Sequence, residues 1–125
     1  MTVRILQINK FIDLSLPAAG GPATFLSLAG RLLTERGHEV SYFGCRMGET
    51  PSELPPYVDY TRPAGPWAAL RGAARIVHDA RAAGALDAWL ARRPADVAHV
   101  HNIYHHLTPS IFAPLRRRGV PVVMS

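Results

Sequence analysis

Hydrophobic positions along the chain alternate between short β-branched runs and longer stretches with helical spacing. Val3 to Ile8 reads as a strand. Pro22 to Arg36 carries Phe25, Leu28, Ala29, Leu32 and Leu33, a stripe at i, i+3, i+4, i+7 and i+8 that predicts a helix covering one sheet face. Pro22 suits the first turn of that helix, and Gly37 suits the left-handed residue just past its end. Glu39 to Phe43 follows at once as a second strand. Thr50 to Pro66 is Pro-rich, with a brief edge strand expected around Tyr57 to Tyr60.

Helical spacing returns from Trp67 to Arg93, with Leu70, Ala74, Val77, Leu86, Trp89 and Leu90 as apolar points. Gly72 and Gly84 weaken it, and a kink or break is expected near Gly84. Pro94 stops the pattern and Val97 to His101 reads as the next strand. Thr108 or Ser110 is the expected cap of a helix running to Arg118. Gly119 ends it, and Val120 to Met124 is a last strand. The tryptophans, Trp67 and Trp89, are both expected in the core.

Strands alternating with crossover helices predict a doubly wound α/β fold, a Rossmann-like parallel sheet of about five strands with helices on both faces. At 125 residues the chain fits one domain, residues 1–125. If the strand order is 3-2-1-4-5, the order reverses between the first strand and the one ending at His101. Ligands of open α/β sheets bind there, outside the carboxyl ends of the strands. Two loops then face one another across a crevice, Asn9 to Gly21 and Asn102 to Leu107.

Composition narrows the partners. Hydrophobic residues make up 48% of the chain and charged residues 18%, which is globular rather than disordered. The formal charge of +5 favours anionic partners, including phosphorylated substrates and anionic lipid headgroups. Its arginines lie at helical spacings or helix ends instead of forming one patch, so nucleic acid is not expected. The lone Cys45 excludes an internal disulfide and reads as a small buried hydrophobe. No signal peptide or membrane span is read from the sequence, so a cytoplasmic protein is expected, with peripheral contact at the inner face of the membrane as a further partner.

Candidate chemistry gathers on the two loops. Gly20 and Gly21 stand just ahead of a predicted helix, where backbone N–H groups and the helix dipole favour a phosphate. The alternative is a flexible turn feeding the helix. Neither a dinucleotide fingerprint nor a P-loop is present. Opposite lie His101, Asn102 and His105, with Asn9 and Lys10 at the end of the first strand, as hydrogen-bonding groups for a sugar or phosphate. His99 and His101 share a strand face and could cooperate as metal ligands; a core role for His99 is the preferred reading, and neither a metal nor a cofactor is expected. His106 is read as solvated or packed below the loop. His38 reads as a cap after a helix-ending glycine, and His78 as an ordinary helical residue.

Taken together, R-I-L-Q-I-N-K-F, G-G-P-A-T-F-L-S-L-A, L-L-T-E-R-G-H-E-V, D-V-A-H-V-H-N-I-Y-H-H-L-T-P-S-I and R-R-G-V-P-V-V-M-S resemble the amino-terminal domain of family-4 glycosyltransferases of the GT-B fold. The resemblance implies a retaining transferase in which this domain holds a glycan or lipid-linked acceptor. Gly20 and Gly21 would approach the diphosphate of a nucleotide-sugar donor. A carboxyl-terminal domain with an acidic E-x7-E motif, which this chain lacks, would bind the donor. A Leu-His-Asp block would follow Ser125. The chain is therefore expected to be a truncated half-domain, inactive alone, whose carboxyl-terminal partner is separately encoded or lost to a frameshift. Two other readings stay open: a non-catalytic anion- or sugar-binding module docking on a partner subunit, and a zinc-dependent hydrolase built on the histidines. The donor sugar and the acceptor are not legible.

Overall fold

The computed structural model describes residues 1–11, 20–46, 58–59, 65–67, 70, 80–103, 107 and 109–125. Five parallel strands form one sheet in the order β3-β2-β1-β4-β5. They are β1 (Arg4–Phe11), β2 (Glu39–Arg46), β3 (Val58–Asp59), β4 (Val97–Val100) and β5 (Val122–Met124). The described helices are α1 (Gly20–Glu35), α2 (Ala80–Arg92) and α3 (Phe112–Arg117), the last entered through a 3-10 turn at Pro109–Ile111. The expected doubly wound α/β class and strand order are both present.

Register explains how the layers divide. Leu6 is level with Ser41 and Ala98, and Ile8 with Phe43 and Val100, so these side chains share one face of the pleat. That face is dry. Leu6, Ile8, Phe43, Ala98 and Val100 pack with Leu86, Leu90, Ile111 and Leu115 from α2, α3 and the turn before it. The opposite face carries Gln7, Asn9, His99 and His101, and α1 lies over the β1 and β2 part of it.

Several expectations shift. Helix α1 begins at Gly20 rather than Pro22, so the glycine pair forms its first turn instead of preceding it. Its sheet contact also rotates: Leu26 is fully buried and Ala29, Gly30 and Leu33 face inward, whereas Phe25, Leu28 and Leu32 are about half exposed. The apolar arc of α1 is wider than the strip of sheet beneath it. Helix α2 runs unbroken through Gly84, because flanking Ala82, Leu86, Trp89 and Leu90 anchor both halves in the core. Packing overrides the propensity cost of the glycine. Trp67 is 76% exposed and not in the core, while Trp89 is buried beneath Arg93.

At the other end of the chain, α3 has no side-chain cap. Ser110 is buried inside the 3-10 turn that leads into it. Gly37 and Gly119 both adopt positive φ, as their helix-ending role requires. His38 is not a dipole cap: its Nδ1 accepts from the Val3 amide at 3.2 Å and ties the start of β1 to the turn before β2. Cys45's side chain, His78, Thr108 and most of the Pro-rich segment lie outside the described residues.

Asp96 secures the amino ends of β1 and β4. Its carboxylate accepts from the Arg4 backbone N–H at 2.8 Å and from two guanidinium nitrogens at 2.8 and 3.2 Å. The Arg4 hydrogen bonds hold its carboxyl down at about 2. Gly30 secures α1 to the sheet, since a methyl group there would overlap the Tyr42 hydroxyl. Gly30→Ala is expected to destabilise the domain by about 1–3 kcal/mol in urea unfolding, despite alanine's better helix propensity. An unchanged or raised midpoint would show that Tyr42 moves aside freely.

Candidate functional site

At the carboxyl end of the sheet, the chain beyond the end of β4 stays paired with β1. His101 N–H donates to the Ile8 carbonyl at 2.8 Å, and Lys10 N–H donates to the Asn102 carbonyl at 2.7 Å. Asn102 N–H in turn donates to Asn9 Oδ1 at 3.2 Å. Asn9, Lys10, His101 and Asn102, four of the sequence-derived candidates, are thus brought together by the backbone ladder. Asn9 and His101 are buried; Lys10 and Asn102 are half-buried.

Gly20 and Gly21 belong to the same end of the molecule. Phe25, one turn further along α1, meets the His101 ring edge-on with centroids 5.8 Å apart. The first turn of α1 contains no acidic residue, so no carboxylate of that turn offsets the positive end of the helix dipole. His105 and His106 lie outside the described residues.

His101 is held differently from a ligand-facing group. Its Nε2–H donates to Gln7 Oε1 at 2.7 Å. The other ring nitrogen, Nδ1, therefore accepts from the Ser125 hydroxyl at 3.1 Å. Ser125 Oγ then accepts from His99 Nε2–H at 3.0 Å, and the two imidazoles lie 4.0 Å apart. Both nitrogens of His101 are engaged inside the protein. Burial, and secondarily the neighbouring His99, push the His101 imidazole down to about 4. Burial lowers that of His99 as well.

Neutral, buried and fully bonded, His101 is part of the floor's scaffold. It is a weak base near neutral pH and offers no lone pair to the crevice. Gln7 and Ser125 were not singled out from the sequence. A signal for Gln7 existed, since a glutamine inside the apolar run of a buried strand must find a partner. For Ser125 the sequence held none. Among the described residues no group of three or more His, Cys, Asp or Glu is arranged to hold a metal ion.

The low His101 value has a consequence with a definite sign. The unfolded chain takes up a proton near 6.5 that the folded domain refuses until about 4, so stability present at neutral pH is lost as pH falls through that window. Denaturant unfolding between those limits is expected to show a falling midpoint, with a shallower fall in His101→Gln. A flat profile in the natural chain would contradict the buried neutral ring.

Residues 19–125 match the model of a protein family described as Glycosyltransferase Family 4. No curated protein and no solved structure matches the chain. Among the described residues, no helix is long and apolar enough to cross a membrane.

Proposed function

The chain belongs to Glycosyltransferase Family 4, and from that premise we propose that it is the acceptor-side half-domain of a retaining glycosyltransferase. Membership supports a glycosyltransferase-type role in general, with a sugar donor and an acceptor as ligands. The finer reading is that a sugar passes from a nucleotide-sugar donor to a glycan or lipid-linked acceptor. The first turn of α1, at Gly20 and Gly21, would take the donor diphosphate, and the end of β4 would take the acceptor. The observation that carries it is the meeting of α1 and β4 through Phe25 and His101, beside the Lys10 to Asn102 bond. A phosphate-favouring helix end and a polar strand end then border one crevice at the reversal of strand order.

Residues 1–125 by themselves are expected to be inactive in sugar transfer. The described carboxylates in support of this are Asp96, spent on Arg4 at the opposite end of the sheet, and Asp87, spent on Arg117 and Arg118. Neither is placed to assist glycosyl transfer. A non-catalytic anion- or sugar-binding module docking on a partner subunit remains the second reading, favoured by the engagement of Asp87 and Asp96, among the described residues, away from the polar cluster. Incubating the isolated chain with a panel of nucleotide sugars is expected to give no turnover, while uridine diphosphate shifts the Gly20 and Gly21 amide resonances. Turnover would overturn the half-domain reading, and amides indifferent to the diphosphate would overturn the donor assignment.

Peripheral membrane contact, at the inner face in a cytoplasmic protein, fits one further observation. Trp67 and Leu70, three residues apart, are 76% and 64% exposed on a chain of net charge +5. An exposed tryptophan beside an aliphatic residue, with basic charge to hold it near anionic headgroups, suits an interfacial position. Co-sedimentation with vesicles containing anionic lipid is expected, weakened by salt and by Trp67→Ala. Equal recovery with purely zwitterionic vesicles would exclude an electrostatic contact.

A further inference from the structure

Along the chain the arginines stand at separate helix ends, and the sequence predicts no common patch. The fold gathers several of them. A crossover helix of a parallel sheet runs against its strands, so its carboxyl end returns to the amino end of the sheet, away from the crevice. Helix α2 ends at Arg92 and leads into Asp96, which is bonded to Arg4 at the start of β1. Helix α3 ends at Arg117 and leads into β5. Arg92, Arg93, Arg117 and Arg118 therefore share one end of the α2–α3 layer, and all are exposed.

Asp87 joins the two helices there. Its Oδ1 accepts from Arg118 Nε at 2.8 Å, while Arg117 lies looser at 3.9 Å. Arg92 and Arg93 stand roughly 8 Å further along α2. Among the described residues neither meets a carboxylate. The Arg93 guanidinium lies over the Trp89 ring, 5.5 Å from its centroid, and stacking of that kind occupies the face of the group while leaving its in-plane N–H groups for an acceptor. The carboxyl end of a helix carries about half a negative charge, which one arginine more than offsets. Arg92, Arg93 and Arg117 are cations in excess of what the domain itself pairs. They sit where α2 meets α3, on the side of α3 that reaches Asp87.

We propose that the carboxyl ends of α2 and α3 form a docking surface for a partner protein presenting a short acidic segment, whose carboxylates pair with Arg92, Arg93 and Arg117. The class of partner follows from what accompanies the charge. No large hydrophobic side chain of α2 or α3 is among the exposed ones, so this surface has nothing to insert into a bilayer or to stack on an unpaired base. Double-stranded nucleic acid engages a row of about six to ten phosphates, and the open guanidinium groups here fall short of that. An arginine fork takes a carboxylate through two N–H groups, so a short stretch of Asp or Glu suffices. The Asp87 to Arg118 pair positions the two helix ends for it. A partner docked at this end of the sheet leaves the crevice at the other end open.

NMR of the full chain, nitrogen-labelled at arginine, tests this with an oligo-glutamate peptide as the probe. The Nε–H resonances of Arg92, Arg93 and Arg117 are expected to shift, and those of Arg31 and Arg36, on and just past α1 over the other face of the sheet, are not. Arg92→Glu combined with Arg117→Glu is expected to weaken the peptide about tenfold, as the loss of two exposed ion pairs implies. Arg31→Glu combined with Arg36→Glu makes the same change in net charge and is expected to leave binding as it was. A peptide that moves none of these resonances, shifts spread evenly over all the arginines, or equal weakening by the two double variants overturns the proposal. So does displacement of the peptide from the same arginines by duplex DNA or by phosphatidylglycerol vesicles at equal charge concentration, which would make the partner a phosphate surface. None of these outcomes depends on whether uridine diphosphate moves Gly20 and Gly21, so failure here is separable from failure of the transferase reading.

Discussion

Parallel pairing between β1 and β4 sets where the other elements go. These strands are far apart in sequence, and their ladder runs from the Asp96 clamp at one end to the Lys10 to Asn102 bond at the other. Because they are parallel, both carboxyl ends arrive on the same side, and the chain must leave β1 toward β2 and leave β4 toward β5. The crevice between those departing segments is a consequence of that divergence.

The two faces of the sheet carry different chemistry. One is a dry interface of aliphatic side chains under α2 and α3, where burial supplies the stabilising free energy of the domain. The other buries Gln7, Asn9 and His101, whose desolvation is offset by hydrogen bonds among themselves and with neighbouring backbone and side-chain groups. A polar face of this kind adds little net stability, but it orients its members. Both ring nitrogens of His101 are paired, with Gln7 and with Ser125, whereas the Gln7 amide nitrogen is left without a partner.

Much of this organisation was legible in the sequence. The alternation of β-branched runs with helical stripes gave the doubly wound class, the order 3-2-1-4-5 taken as a condition is the one observed, and Gly37 and Gly119 marked their helix ends by the positive φ that only glycine adopts cheaply. The strand-end residues Asn9, Lys10, His101 and Asn102 were found because a polar group at the stop of a buried strand stands out against its neighbours. What each of them faces was not legible. Periodicity places a residue on a face but leaves open whether a partner reaches it, so His101 read as open to the crevice while Gln7 and Ser125, distant in sequence, close both its nitrogens. The same limit misassigned Trp67 and the outer flank of α1, where apolar spacing was wider than the surface available to cover it.

The central claim is that the amino end of α1 and the carboxyl end of β4 border one crevice, with the His101 ring locked between them. Proton–proton cross-relaxation in the folded chain tests it most directly. Cross-peaks between the aromatic protons of Phe25 and the ring protons of His101 are the predicted result. Their absence, with Phe25 instead in contact with residues near Val3 or Asp96 at the opposite end of the sheet, would contradict it.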